Sequence, residues 1–218
     1  QGEIMTAIAT SQKSFPALLT GAYVSVQIAF FATIIGIVGG IGIALLQRSS
    51  SSLIRYLAHT YVWIFRGTPM VVQIMFMYYG LNLPFSPFVT AIIAIGLNSC
   101  AYISQIMRSG IEAVEKGQLE AAYTLGISWW DTTRYIILPQ AIRTILPALG
   151  SEFITLIKDS SLAYIIGVNE LFKEARTIMS VTFDVMTIYA GMTLLYLAMT
   201  STVSYIMHRI EQRLKFPC

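Results

Sequence analysis

Glu152 and Asp159 interrupt an apolar segment running from about residue 142 to 166, and they lie seven residues apart. On a helix this spacing puts both carboxylates on one face, about 10 Å apart along the axis. Two acids so arranged could hold an amino group or a basic side chain. They could equally belong to an inter-helix salt-bridge network. Ser160 and Ser161 adjoin Asp159 and would add hydroxyls. Arg66, in a separate uncharged stretch, is followed by Gly67-Thr68-Pro69. Thr68 as N-cap with Pro69 at the first helical position would restart a helix there. Such a break frees backbone N–H groups, whose positive end suits a carboxylate. A structural kink, with Arg66 paired or reaching for the surface, is the plainer alternative. Asn98 and Tyr102 are four apart and share a helix face. With Gln73 they could line a polar site or serve as interhelical hydrogen-bonding glue. No Ser/His/Asp or Cys/His grouping suggests nucleophilic catalysis. His59 and His208 lack neighbouring ligands at metal-site spacing, and Cys100 and Cys218 offer no disulfide framework or zinc spacing. No metal, cofactor or catalytic residue is therefore expected on this chain.

The chain that must position these groups is 56% hydrophobic and 11% charged over 218 residues. An average soluble domain carries roughly 25% charged residues, and a chain of this size leaves much of its surface unburied. Lipid is therefore its main solvent, and soluble enzymes and nucleic-acid binders are disfavoured. Charge-free intervals mark the spans. There are 34 residues between Lys13 and Arg48, 41 between Arg66 and Arg108, and 24 between Asp184 and Arg209. A spanning helix needs about 20. The turn signal LNLPFSPF divides the middle interval. Helices are thus expected at about 18–46, 57–80, 88–107 and 187–207, with a fifth, weaker one at about 142–166. The fold class is an all-α polytopic membrane protein of five transmembrane helices. Arg48, Arg55, Arg108, Lys116, Arg134, Arg143, Arg209, Arg213 and Lys215 fall on one side, and Lys13, Lys173 and Arg176 on the other. Excess Lys and Arg marks the cytoplasmic face, so the N-terminus is expected outside and the C-terminus inside. The loop from about 108 to 141 is then cytoplasmic, and the segment from about 167 to 186 external. The first apolar run is too long for a signal peptide, and Gln1 leaves room for residues upstream. Gly36, Gly39, Gly40 and Gly42 give the first span a small face for close packing.

The loop between the third and fourth spans reads as helix, break, helix. Glu120, Ala121 and Ala122 favour helix, and Gly126 suits a left-handed terminus. Ser128 can cap a second helix, with Asp131 in the capping-box position. That helix is expected to reach about Leu138 and to stop at Pro139. Leu125, Ile127, Trp129 and Trp130 form an apolar knob suited to a groove on a soluble partner.

The pattern Glu120-Ala121-Ala122, three residues, Gly126, nine residues, Ile136-Ile137-Leu138-Pro139 resembles the EAA loop of ABC importer permeases, the inner-membrane components of binding-protein-dependent transport. Phe65-Arg66-Gly67-Thr68-Pro69 with Val72-Gln73, Asn98-Ser99-Cys100-Ala101-Tyr102, Leu138-Pro139-Gln140-Ala141, Leu146-Pro147-Ala148-Leu149-Gly150 and Leu156-Ile157-Lys158-Asp159-Ser160-Ser161-Leu162 resemble the polar amino-acid branch. The resemblance covers about residues 17–215 and implies one transmembrane permease domain over 1–218, without an ATPase or fused binding-protein domain. No Walker motif is present. It further implies two ATPase subunits that carry ATP and magnesium, a second permease subunit, an extracytoplasmic solute-binding protein, and a multi-pass location in a bacterial cytoplasmic membrane. No nucleic-acid partner is expected. An ion-coupled secondary carrier could use the same buried acids but has no reason to keep the EAA loop.

Overall fold

The computed structural model describes residues 2–214, with side chains from Phe15 to Arg213. Gln1, Lys215, Cys218 and the side chain of Lys13, all used in the sequence reading, lie outside the described residues. Among the described residues every regular element is helical. In chain order these are α1 (Gly2–Leu46), α2 (Ser52–Gly67), α3 (Met70–Met75) continued by a π turn (Phe76–Gly80), and α4 (Pro87–Glu112). Then come α5 (Lys116–Thr124), α6 (Trp129–Asp131), a π turn (Thr132–Ile137), α7 (Leu138–Asp159), a 3-10 segment (Ser160–Ile166), α8 (Leu171–Thr182) and α9 (Val185–Leu214).

Three segments are long and apolar enough to cross a bilayer by themselves: Phe15–Leu46, Pro87–Glu112 and Val185–Arg213. They coincide with the first, third and last expected spans. The other two expected spans are built differently. The helix expected at 57–80 begins at Ser52 and breaks at Thr68-Pro69, and the one expected at 142–166 begins earlier as part of a longer helical run.

The core forms where α1, α4 and α7 meet, around Ile28, Ala29, Ala32, Ala91, Ile95, Leu156 and Ile157. Small residues let these backbones approach closely. At Gly36 a Cβ would lie 2.6 Å from Ser99 Oγ, and at Gly40 it would lie 2.8 Å from Ile103 Cγ2. The glycine face expected on the first span is therefore the α1–α4 contact, although Gly42 itself faces open space. Ser86 starts α4 by accepting a hydrogen bond from the Val89 N–H at 3.3 Å, with Pro87 at the first helical position.

Pro139 does not end the helix of the 108–141 loop, contrary to the sequence reading. Helix runs on from Trp129 through the π turn into α7. The Leu138 N–H reaches the Thr133 carbonyl, five residues back. This wider winding accommodates a ring that would clash with the carbonyl four residues back in an α-helix, and Pro139 has no N–H to satisfy.

The segment at 167–186 contains a helix the sequence reading left unassigned. Gly167 is left-handed at φ +93°. Glu170 then caps α8, accepting from the N–H groups of Phe172 at 2.7 Å and Lys173 at 2.8 Å. Its side chain is fully buried between α1, α8 and α9, where the Tyr196 hydroxyl donates to it at 3.3 Å. Burial pushes the Glu170 carboxyl up to about 7, against the opposing pull of those two N–H donors. Close backbone approach brings α8 onto α1: a Cβ at Gly21 would sit 2.8 Å from Leu171 Cα.

Candidate functional site

Five of the residues singled out for binding converge. Thr68, Asn98, Tyr102, Glu152 and Asp159, joined by Pro69, Met70 and Thr155, line a cavity of about 290 Å³ between the α2–α3 break, α4 and α7. Ligand pockets start at roughly 300 Å³, so the volume suits a small solute. Glu152 and Asp159 do share a face, and Thr155 lies between them on it. The same three-and-four spacing could have identified Thr155 from sequence. Ser99 donates to Glu152 Oε1 at 2.9 Å, which fixes one carboxylate oxygen.

A second layer holds the break open. Gln73 Nε2 donates to the Phe65 carbonyl at 2.9 Å and to Thr68 Oγ1 at 2.7 Å. Its Oε1 accepts from Asn98 Nδ2 at 3.0 Å, and that amide also donates to the Phe65 carbonyl at 2.9 Å. Gln73 therefore supports the cavity from behind. Carbonyls released by the break in α2 find amide donors from α3 and α4, which satisfies backbone groups that lipid cannot. Thr68 is not the N-cap that the sequence suggested. Pro69 occupies that position, and Thr68 Oγ1 donates back to the Ile64 carbonyl at 2.9 Å.

Arg66 stays outside the cavity wall, stacked 5.2 Å from the Tyr102 ring centre. Its charge borders the site through an aromatic face. Ser160 and Ser161 do not line the cavity. Ser160 is buried and donates to the Ile157 carbonyl at 2.7 Å, because the chain tightens into a 3-10 turn after Asp159 and carries both serines off the face.

The 108–141 loop has the expected helix, break, helix form. Gly126 is left-handed at φ +72°. Its N–H bonds the Tyr123 carbonyl and the Ile127 N–H bonds the Ala122 carbonyl, both at 3.0 Å. This paired arrangement closes a helix in a Schellman motif. Ser128 Oγ accepts from the Asp131 N–H at 3.1 Å and caps the next helix. Glu120 and Ala121 face outward, whereas Ala122 is buried. Leu125 is 77% exposed and Trp130 74% exposed, with Ile127 and Trp129 beside them. Apolar side chains are thus displayed openly on a loop capped at both helices, and such exposed apolar patches are a common feature of interaction sites. Among the described residues no group of three or more His, Cys, Asp and Glu could hold a metal ion.

Comparison with known proteins identifies the family. The sequence profile of the family described as "Binding-protein-dependent transport system inner membrane component" matches residues 32–216. The chain is 37% identical to the glutamine transport system permease protein GlnP of Escherichia coli K12, over 93% of this chain and 94% of the relative. It is 41% identical to the probable amino-acid ABC transporter permease protein YckA of Bacillus subtilis, over 92% and 90%. A solved structure titled "Crystal structure of an amino acid ABC transporter with histidines" superposes with a TM-score of 0.89 at 36% identity, covering 94% of this chain and 97% of that one. The chain belongs to the family of binding-protein-dependent transport system inner membrane components, and it is a permease subunit of an ABC transporter rather than an enzyme. The reading as an ion-coupled carrier falls with that finding.

Proposed function

We propose that this chain, as one permease domain with five spans, forms part of the pathway by which a polar amino acid enters a bacterial cell. Its N-terminus lies outside and its C-terminus inside, in the cytoplasmic membrane. A second permease subunit, identical or different, faces it across the pathway. The α5–α6 loop seats Leu125, Ile127, Trp129 and Trp130 in a cleft of an ABC ATPase. Two ATPase copies serve the pair of permeases and carry the ATP and magnesium. A solute-binding protein delivers cargo at the outer face. The relatives named for glutamine and amino-acid transport support the substrate class.

The observation that carries the substrate reading is the cavity bounded by Thr68, Asn98, Tyr102, Glu152 and Asp159. Glu152 and Asp159 attract the cargo's ammonium group. Asn98 and Tyr102 offer an amide and a hydroxyl, and Thr68 lies at the broken helix end facing them. Gln73 and Arg66 act on the edges of this site, and Ser160 and Ser161 act only by ending α7.

Neutralising either acid removes a charge-assisted hydrogen bond, worth about 1.5–3 kcal/mol. This corresponds to roughly one to two decades in half-saturation. The test is uptake against amino-acid concentration by the reconstituted complex carrying Glu152→Gln or Asp159→Asn. Raised half-saturation with basal ATP hydrolysis retained supports direct contact. Unchanged uptake in both variants, or loss of assembly in both, refutes it.

A further inference from the structure

Beyond the tight glycine contact a groove opens between the ends of α1 and α4. Ile41, Ala44 and Leu45 form one helical stripe on α1, with Arg48 in the turn just past its end, and Met107, Arg108, Ile111 and Glu112 form the facing edge of α4. Together with Gln47 and His59 of α2 they enclose a groove of about 390 Å³, larger than the polar cavity. Its walls are aliphatic and its mouth is cationic. Arg48 and Arg108 are exposed there. Arg108 Nε donates to Glu112 Oε1 at 2.8 Å, a bond that does not use its two terminal nitrogens. Arg48 makes no ion pair among the described residues. Inside, Gln47 is buried and bridges His59 Nδ1 at 3.3 Å and Gln105 at 3.2 Å, so the floor is a satisfied polar strap joining three helices.

We propose that this groove binds one anionic phospholipid, its phosphate held by Arg48 and Arg108 and one acyl chain lying between Leu45 and Ile111. The assignment follows from charge complementarity and from the surroundings. An apolar cleft with two arginines at the polar end of two spanning helices matches a lipid's own division into tail and head. The acid at the mouth, Glu112, is already neutralised by Arg108, so the net charge offered to a headgroup is positive. The proposal depends on α1 and α4 being spans and is independent of what the transporter carries.

Native mass spectrometry of the intact permease–ATPase complex, delipidated and titrated with phosphatidylglycerol against phosphatidylethanolamine, tests it. Each surface arginine contributes roughly fivefold in affinity for an anionic lipid. Wild type is expected to prefer phosphatidylglycerol, and Arg48→Gln with Arg108→Gln is expected to lower that preference about 25-fold. Arg209→Gln with Arg213→Gln, an equal charge change elsewhere, is expected to leave it unaltered. Ala44→Trp fills the groove without touching its charges and is expected to abolish retention too. Equal retention of the two lipids by wild type overturns the proposal without any variant. So does a preference that survives Ala44→Trp, which would reflect diffuse surface charge, and so does exclusion of lipid by a protein partner covering the groove. Substrate-stimulated ATP hydrolysis, measured in the same preparations, keeps a failure here separate from a failure of the transport reading.

Discussion

Glu170 ought to give the protein's stability a pH dependence that one substitution removes. The carboxyl is 0% exposed, and it bonds two backbone N–H groups of α8 and the hydroxyl of Tyr196. Its folded value is raised from 4.5 to about 7 by burial. Below 4.5 the folded and unfolded chains both hold the proton, and the full stabilising contribution is present. Between 4.5 and about 7 the unfolded chain has released it while the folded chain retains it. Stability therefore falls as pH rises through this window and levels off above it. The gap between 4.5 and about 7, at about 1.4 kcal/mol per pH unit, comes to roughly 3 kcal/mol. In a chain of this size a kilocalorie moves Tm by about 2–4 °C, so Tm should drop by roughly 6–12 °C. Glu170→Gln has no proton to release. Its amide oxygen still takes one α8 N–H, but its NH2 cannot accept the other, a cap loss of about 1 kcal/mol. The variant should be the less stable protein at pH 4.5 and should lack this part of the slope. Thermal unfolding of the purified complex in detergent, followed by size exclusion from pH 4.5 to 8 for both proteins, measures the difference. Parallel Tm curves across that range would refute the reasoning.

Gly126→Val puts a β-branched residue at φ +72° and adds about 1–2 kcal/mol of strain. The protein should still reach the membrane but recover less ATPase on co-purification, and normal recovery with wild-type uptake would count against the docking role. Gly40→Val forces a Cβ to within 2.8 Å of Ile103, so α1 and α4 must separate. Overpacking of this kind costs about 1–3 kcal/mol, read as a lower Tm of the purified complex. A cysteine at Ser50 or Glu115 should be shielded from an impermeant thiol reagent in intact cells, and one at Thr177 should react, on a background lacking Cys100 and Cys218. The reverse pattern would invert the five-span orientation.

The legible parts of this chain were those decided by one local rule. Charge-free intervals located α1, α4 and α9 because a bare charge in hydrocarbon is costly. Gly126 and Ser128 announced their roles because left-handed backbone and helix caps each admit few residue types. Glu152 and Asp159 could be paired by helical arithmetic alone. What escaped depends on several elements at once. Glu170, in a segment expected to be external and shared with Lys173, Glu174 and Arg176, carries no signal in the sequence that sets it apart from a solvated acid. Only the packing of α1 and α9 over α8 makes it a buried cap. Ser160 and Ser161 looked like neighbours of Asp159 and are separated from the cavity by a change of helical winding. Pro139 looked like a terminus because the ordinary rule concerns α winding, and the local answer was a π turn.

That π turn bears on how the two functional regions are joined. Helical winding is unbroken from Trp129 through α7 to the 3-10 segment ending at Ile166. Trp129 stands at the exposed knob, and Glu152 and Asp159 stand at the cavity on the same run. At 1.5 Å per residue, Glu152 lies roughly 35 Å along the axis from Trp129. A helix stopped at Pro139 would have put a hinge between them, and tilting of the knob would have been absorbed there. The helical run instead continues past Pro139, and although Pro147 inside α7 donates no N–H and leaves one bond of the ladder unmade, the knob and the acids stand at opposite ends of one helical rod. Packing along its length holds the rod to α4, where Gly110 accepts the Ile145 side chain, and to α9, whose Met207 packs on Gly150 of α7. Under the docking role proposed above, movement imposed at the knob would shift the carboxylates against α4, the helix that contributes Asn98, Tyr102 and the Ser99 hydroxyl to the same cavity region.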